Sequence, residues 1–201
     1  MNSTKLQYRI YKIYLGALFA AIILSLPLVF VLPVEISFEN GFLENTQVAV
    51  LILSALLILI FCSESAQMRW FQRLFAAGLF LMALRELSWG RVFFPLEVEK
   101  LGPVFVSMAD YEYRIPVYIF LATYSAAMIF ILVRFVSVKK ILLSPQPLAA
   151  FALMIMAVIL SYVGEHGWLF GKMHGQIFEE INELILYLIL PAISFYYRNL
   201  T

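Results

Sequence analysis

The sequence has few charged residues and only one cysteine. Lys, Arg, Asp and Glu make up 13% of the 201 residues, whereas hydrophobic residues make up 63%. Soluble domains carry about 25% charged residues, so this composition excludes an ordinary soluble domain. The 14 basic and 13 acidic residues leave no basic surplus for nucleic-acid binding. The single Cys62 cannot form an intrachain disulfide. These absences leave an integral membrane protein as the favoured class.

The long apolar runs are the main positive signal. About 20 apolar helical residues cross a bilayer, so the length allows six spans and no folded soluble domain. We predict a single all-α polytopic transmembrane helix bundle over residues 1–201. The predicted spans lie near 11–34, 42–62, 70–89, 115–136, 147–164 and 177–197. Trp70 and Trp89 are expected to mark the two membrane interfaces of span three.

Three features between and within the spans modify the predicted six-span topology. The apolar connection over residues 90–114 is expected to lie on the bilayer or to fold back into the protein. The glycine-rich segment over residues 164–175 is interpreted as a flexible or re-entrant turn. Pro191 is expected to kink the sixth span, which a membrane bundle tolerates when neighbouring groups satisfy the freed backbone.

Lysine and arginine positions predict the orientation. With both termini cytoplasmic, nine basic residues fall inside and five outside, as the positive-inside rule requires. We therefore predict a multi-pass protein of the bacterial inner membrane. The acids were not used for this prediction, yet only Glu64 falls inside and the other twelve fall outside. Such a one-sided distribution suggests that the outer carboxylates have a use.

Several of these charges are expected inside the outer leaflet, where a charge is costly and indicates function or tight pairing. We predict a functional cluster in which Arg85, Glu86 and Glu183 converge. The full candidate set is Arg85, Glu86, Glu183, Glu44, Glu179 and Glu180. In the alternative interpretation Arg85 extends to the interface and pairs for packing alone, and Glu179 and Glu180 are solvated at a helix N-terminus.

A metal site is the alternative use of the same region. His166, His174 and Glu165 are expected at one membrane depth, and Zn²⁺ accepts such ligands. The chain contains no HExxH, HxxxH or CxxC spacing and no P-loop or nucleophile elbow. We therefore expect no cofactor, with Zn²⁺ as the alternative, and leave enzymatic activity open while favouring its absence.

Three short motifs carry a resemblance. They are Glu39-Asn40-Gly41-Phe42-Leu43-Glu44, Glu86-Leu87-Ser88-Trp89-Gly90-Arg91, and Phe178-Glu179-Glu180 followed by Glu183-Leu184. Together they resemble a group of bacterial polytopic membrane proteins to which no activity is assigned. The middle motif of that group begins with two acids, and Arg85 replaces the first of them here. In size and topology, though not in a motif, the chain also resembles the membrane subunit of the Kiwa antiphage defence system.

We expect a non-enzymatic membrane sensor or anchoring subunit that acts with a cytoplasmic partner, which the resemblance to Kiwa would connect with antiphage defence. One alternative is an intramembrane metal-dependent hydrolase that uses Glu44, Glu86, His166, His174 and Glu183 as ligands or general base. Another is a small proton- or cation-coupled transporter. The expected partners are the lipid bilayer and a cytoplasmic protein, with a homo-oligomer left open and no nucleic acid.

The predicted topology is tested with single cysteines. In a Cys62→Ser background, Lys100→Cys should react with an impermeant maleimide on intact cells, whereas Lys139→Cys should react only after the membrane is permeabilised. The expected contrast follows from the bias of Lys and Arg toward the cytoplasmic loops. Labelling of position 139 alone on intact cells would overturn the orientation.

Overall fold

A computed structural model describes residues 3–99, 102–143 and 147–198. Lys100 lies outside the described residues. The described chain is a helical membrane protein with a small two-stranded hairpin. Its α-helices, α1 to α7, are Ser3–Leu28, Phe42–Ile60, Ala66–Glu86, Arg114–Phe135, Val138–Leu143, Leu148–Glu165 and Gly171–Arg198. Four of them are long and apolar enough to cross a membrane, namely α1 from Leu6, α2, α4 and α6.

The last helix, α7, is the centre of the bundle. It packs against α1, α2, α3 and α6, while α4 packs on α3 at the edge. Side-chain contacts show the helix directions, because the start of α2 and the end of α3 both meet the middle of α7, at Glu180 and Tyr187. The start of α3 meets the last turns of α7 instead. The C-terminal ends of α1, α3 and α6 and the N-terminal ends of α2 and α7 therefore share one end of the bundle.

Two predicted C-terminal helix ends were wrong, and the same two helices begin earlier than predicted, α1 at Ser3 and α3 at Ala66 rather than near residues 11 and 70. The first helix ends at Leu28 rather than near residue 34, and Val34–Ser37 forms a short 3₁₀ turn after Pro33. Pro33 disfavours helical geometry at Leu32, so the helix cannot continue to residue 34 as predicted. The third helix ends at Glu86, and the tryptophan expected to mark its outer end lies beyond it. Trp89 belongs to a left-handed turn with φ values of 45° at Ser88, 58° at Trp89 and 90° at Gly90.

The connection after α3 contains structure that an all-α prediction lacks. Residues Ser88–Phe93 form a 3₁₀ segment, and strands β1, Pro95–Glu99, and β2, Gly102–Phe105, pair antiparallel. The guanidinium of Arg91 holds the segment by donating to the carbonyl oxygens of Ser88 and Val106. The short helix α5 is a second element that the sequence analysis did not predict.

Two glycines allow α6 and α7 to approach closely. A Cβ on Gly164 would lie 2.7 Å from the backbone nitrogen of Glu179, and a Cβ on Gly175 would lie 2.5 Å from the carbonyl oxygen of Gly164. Helix α7 begins at Gly171, six residues before the predicted start at residue 177, so Gly175 lies within the helix. Only residues 166–170 form a turn, and the rest of the glycine-rich segment is helical. Small residues at such crossings are typical of membrane bundles.

The glycine crossing predicts a selective loss of stability. Gly164→Ala should lower the free energy of unfolding by about 1–3 kcal/mol, because the new methyl group would overlap backbone that cannot move aside. Denaturation of the purified chain in detergent measures this change. Gly16→Ala is the matched control, since a Cβ at Gly16 has nothing within 4 Å. It should leave stability unchanged or raise it, because alanine favours the helix. Equal effects of the two substitutions would contradict the close crossing.

Candidate functional site

The candidate carboxylates lie together at one end of the bundle. We use the term carboxylate cluster for Glu44 of α2, Glu86 of α3, and Glu179, Glu180 and Glu183 of α7. Glu44 interacts electrostatically with Glu86 and Glu183, and Glu183 interacts with Glu86 and with Arg85. Three helices therefore contribute to one acidic group of side chains.

Glu86 occupies the most protected position on α3. Its side chain is 7% exposed, and its Oε1 accepts a hydrogen bond of 2.7 Å from the hydroxyl of Tyr187. The guanidinium of Arg85 lies 3.4 Å from the same oxygen, but that side chain is 61% exposed. Arg85 thus pairs with its own neighbour at the edge of the cluster, and its interaction with Glu183 is electrostatic and of longer range. An exposed ion pair contributes little, so the Tyr187 hydroxyl is the main buried partner of Glu86.

Glu180 is the second buried acid. Its Oε2 accepts a hydrogen bond of 2.8 Å from Nε2 of Gln47, and the same nitrogen donates to the backbone carbonyl of Glu180 at 3.0 Å. Gln47 has no exposed surface, and its Oε1 has no hydrogen-bond partner among the described residues. An unpaired acceptor therefore lies on the same amide that binds the Glu180 carboxylate.

The other acids are only partly buried. Glu44 accepts from the backbone N–H of Asn40, within the turn before α2. Glu183 accepts from the hydroxyl of Ser161 on α6 at 3.5 Å, a long contact. Glu179 interacts electrostatically with Glu183 and Glu165. These acids are therefore more exposed than Glu86 and Glu180.

Sequence analysis missed the neutral partners of the buried acids. Gln47, Tyr187 and Asn182 are each at most 1% exposed. Asn182 donates to the carbonyl of Phe178 at 2.7 Å, and its Oδ1 has no partner among the described residues. A usable signal existed, because Tyr187 is four residues after Glu183 and Gln47 is three after Glu44. Such spacings place each pair on one helix face.

The candidate metal ligands do not assemble in the described part of the chain. His166 is exposed, with Nδ1 2.9 Å from the Tyr162 carbonyl and its ring near Tyr162 and Trp168. His174 packs against Phe30 instead, and Glu165 is exposed. Among residues 3–99, 102–143 and 147–198, no three His, Cys, Asp or Glu side chains are grouped to hold a metal ion.

Charge is unbalanced at this end of the bundle. Five carboxyl groups share the region with Arg85, which is mostly exposed. Arg91, the next basic residue, is occupied by backbone carbonyls. Carboxylates in apolar surroundings need a counter-charge, a proton or several hydrogen-bond donors. The arrangement therefore favours the uptake of protons or cations.

Comparison with known proteins gave no matching family model, no matching curated protein and no matching solved structure.

The hydroxyl of Tyr187 should be coupled to Glu86. Tyr187→Phe leaves a buried carboxylate without its neutral donor and should cost about 1–3 kcal/mol in the free energy of unfolding. In the Glu86→Gln background the same change should cost clearly less, because the amide does not carry the charge that the hydroxyl solvates. Denaturation of the four proteins in detergent measures the coupling. Tyr118→Phe, at an exposed position on α4, is the control and should be neutral. Additive losses would contradict the coupling.

Proposed function

We propose that the chain is a non-enzymatic sensor or anchoring subunit of the bacterial inner membrane, with six spans and both termini cytoplasmic. In this proposal α3 and α7 cross the membrane with the four apolar helices, and their charges lie toward the outer face. The carboxylate cluster takes up protons or cations there and alters the bundle. A cytoplasmic protein partner reads that change on the inner side. A role in antiphage defence stays a prediction from size and topology.

The observation that carries the proposal is the pairing of Glu180 with Gln47. A buried carboxylate whose side-chain donor is a neutral amide is poorly compensated for its charge. The unpaired Oε1 of Gln47 adds an acceptor next to it. A proton on the carboxyl group or a small cation between these oxygens would satisfy both groups. Uptake at this position would alter the contact between α2 and α7, which is the structural change that a sensor needs.

The interior of α7 favours sensing over transport. A proton or cation pathway needs polar groups along its length. Beyond Tyr187, α7 buries Ile189, Ala192 and Ile193. The next buried polar residue on this helix is Ser194, two turns further along, where Gln72 donates to its backbone carbonyl at 3.4 Å. The apolar segment between them supports a response at the outer end without flow through the bundle.

The sensor proposal is tested with a reporter on the cytoplasmic side. Lys139→Cys in a Cys62→Ser background places a thiol on the exposed face of α5. In spheroplasts, a step from about pH 7.5 to about pH 5.5 outside should change its rate of reaction with a permeant maleimide about fivefold, since allosteric coupling is typically about 1–3 kcal/mol. The cytoplasm is kept buffered. Glu180→Gln should abolish the response.

Glu97→Gln is the matched control, because Glu97 is an exposed acid of strand β1 and belongs to none of the helices that form the cluster. It should keep the full response. If the labelling rate changes neither with outer pH nor with added Mg²⁺ or Na⁺, the sensor proposal is wrong. Sustained proton or cation flux through vesicles that contain the purified chain would favour the transporter instead.

A further inference from the structure

A groove lies on the other half of the bundle, away from the carboxylate cluster. It has a volume of about 730 Å³ and lies in the gap between α1 and α2, with α7 as its floor. Ligand pockets occupy about 300–1,000 Å³, so the groove is large enough for a bound molecule. This feature is separate from the proposed sensing site, and its occupant is a separate question.

Each wall of the groove is one face of a helix. The floor consists of Leu188, Pro191, Ala192 and Phe195, which are spaced by three or four residues along α7. Leu53, Ser54 and Leu57 line the α2 wall in the same way. Among the described residues that line the groove, none is Lys, Arg, Asp or Glu. The walls therefore suit a flexible hydrocarbon chain.

The groove opens sideways, toward the surface that faces lipid in a membrane. Ile10 and Leu53 on its two rims are 57% and 59% exposed. In a bilayer this opening is in contact with acyl chains, which are the most abundant apolar molecules available. The groove ends near the first turns of α1, the end that the proposed topology assigns to the inner leaflet.

Polar groups at the rim fit the head of a phospholipid. The Tyr11 hydroxyl is buried and has no hydrogen-bond partner among the described residues, whereas Tyr14 on the next turn donates to the Leu188 carbonyl at 2.8 Å. Tyr11 is therefore a free donor, and the ester and phosphate oxygens of a phospholipid are acceptors. Lys12 lies over the Tyr8 ring at 4.5 Å, which places a cation at the same rim. A basic side chain at this level attracts anionic lipid.

We infer that the groove between α1, α2 and α7 binds an anionic glycerophospholipid of the inner leaflet. One acyl chain lies along the α7 floor, the ester or phosphate oxygens accept a hydrogen bond from Tyr11, and Lys12 favours the negative head group. The inference depends on the proposed topology only for the choice of leaflet. It does not depend on the sensing role of the carboxylates.

Native mass spectrometry of the delipidated full chain in detergent tests the inference. Titration with phosphatidylglycerol should give one tightly bound lipid, with an affinity about fivefold higher than for phosphatidylcholine of the same acyl chains, since one basic residue contributes about 1 kcal/mol. Lys12→Gln should remove that preference while lipid binding persists. Equal affinity of the wild type for the two lipids would overturn the inference.

Steric and hydrogen-bond variants locate the lipid. Leu53→Trp should fill part of the groove and weaken phosphatidylglycerol binding about tenfold or more. Leu59→Trp, at an exposed position on the same helix outside the groove, is the matched control and should bind as the wild type does. Retained binding by Leu53→Trp would overturn the inference. A second copy of the chain could also fill the groove. If the wild type forms a dimer that binds no lipid, and Leu53→Trp dissociates that dimer, the inference is overturned.

Tyr11→Phe keeps the shape of the groove and is the second test, should Leu53→Trp fail to fold. Loss of one neutral hydrogen bond should weaken the affinity about threefold to tenfold. Tyr118→Phe on α4 is its control and should not change lipid binding. A Tyr11→Phe protein with wild-type lipid affinity would overturn the assignment of the hydroxyl as a lipid contact.

Discussion

The polar side chains of α7 must find partners inside an apolar bundle, and the rest of the structure depends on this constraint. An unpaired polar group in hydrocarbon costs several kcal/mol, so each partner on a neighbouring helix restricts how that helix can pack. Asn182 approaches Ser25 of α1, Glu180 binds Gln47 of α2, Tyr187 binds Glu86 of α3, and Glu183 approaches Ser161 of α6. One helix is therefore tied to four others within about two turns, and its carboxyl groups come together as a consequence.

Hydrophobicity predicted the bounds of three helices, two of which are also tied to α7. The bounds of α2, α4 and α6 agree with the predicted spans to within two residues, because a continuous apolar run is sufficient to define a helix of membrane length. The end of α3 and the start of α7 depend instead on backbone geometry. Trp89 adopts positive φ in a turn that Gly90 completes, and Gly175 extends α7 because it has no side chain to collide with α6. An aromatic residue and a glycine carry no hydropathy signal for these events.

In the candidate site, too, the sequence indicates some residues and not others. Glu86 and Glu180 could be selected from the sequence because charged residues are rare in an apolar chain and each must be explained. The spacing of Gln47 and Tyr187 from Glu44 and Glu183 places them on the acidic helix faces, but it does not say which acid each one binds. They become part of the site only because α2 and α3 pack against particular faces of α7. Arg85 is the opposite case. The sequence indicates it as a charge within an apolar segment, yet its side chain is largely exposed in the structure.

The two ends of the bundle are connected through α7. Tyr187, which binds Glu86, directly precedes Leu188, whose carbonyl accepts the Tyr14 hydroxyl and whose side chain begins the floor of the groove. Three residues later Pro191 lacks an N–H, so the helix is held less tightly by its own hydrogen bonds at this point. A shift of α7 that follows a change of charge at the cluster would therefore reach the groove within one turn, close to the proline. Uptake of a proton or cation at one end and the binding of lipid at the other would then each alter the affinity for the other by the same factor.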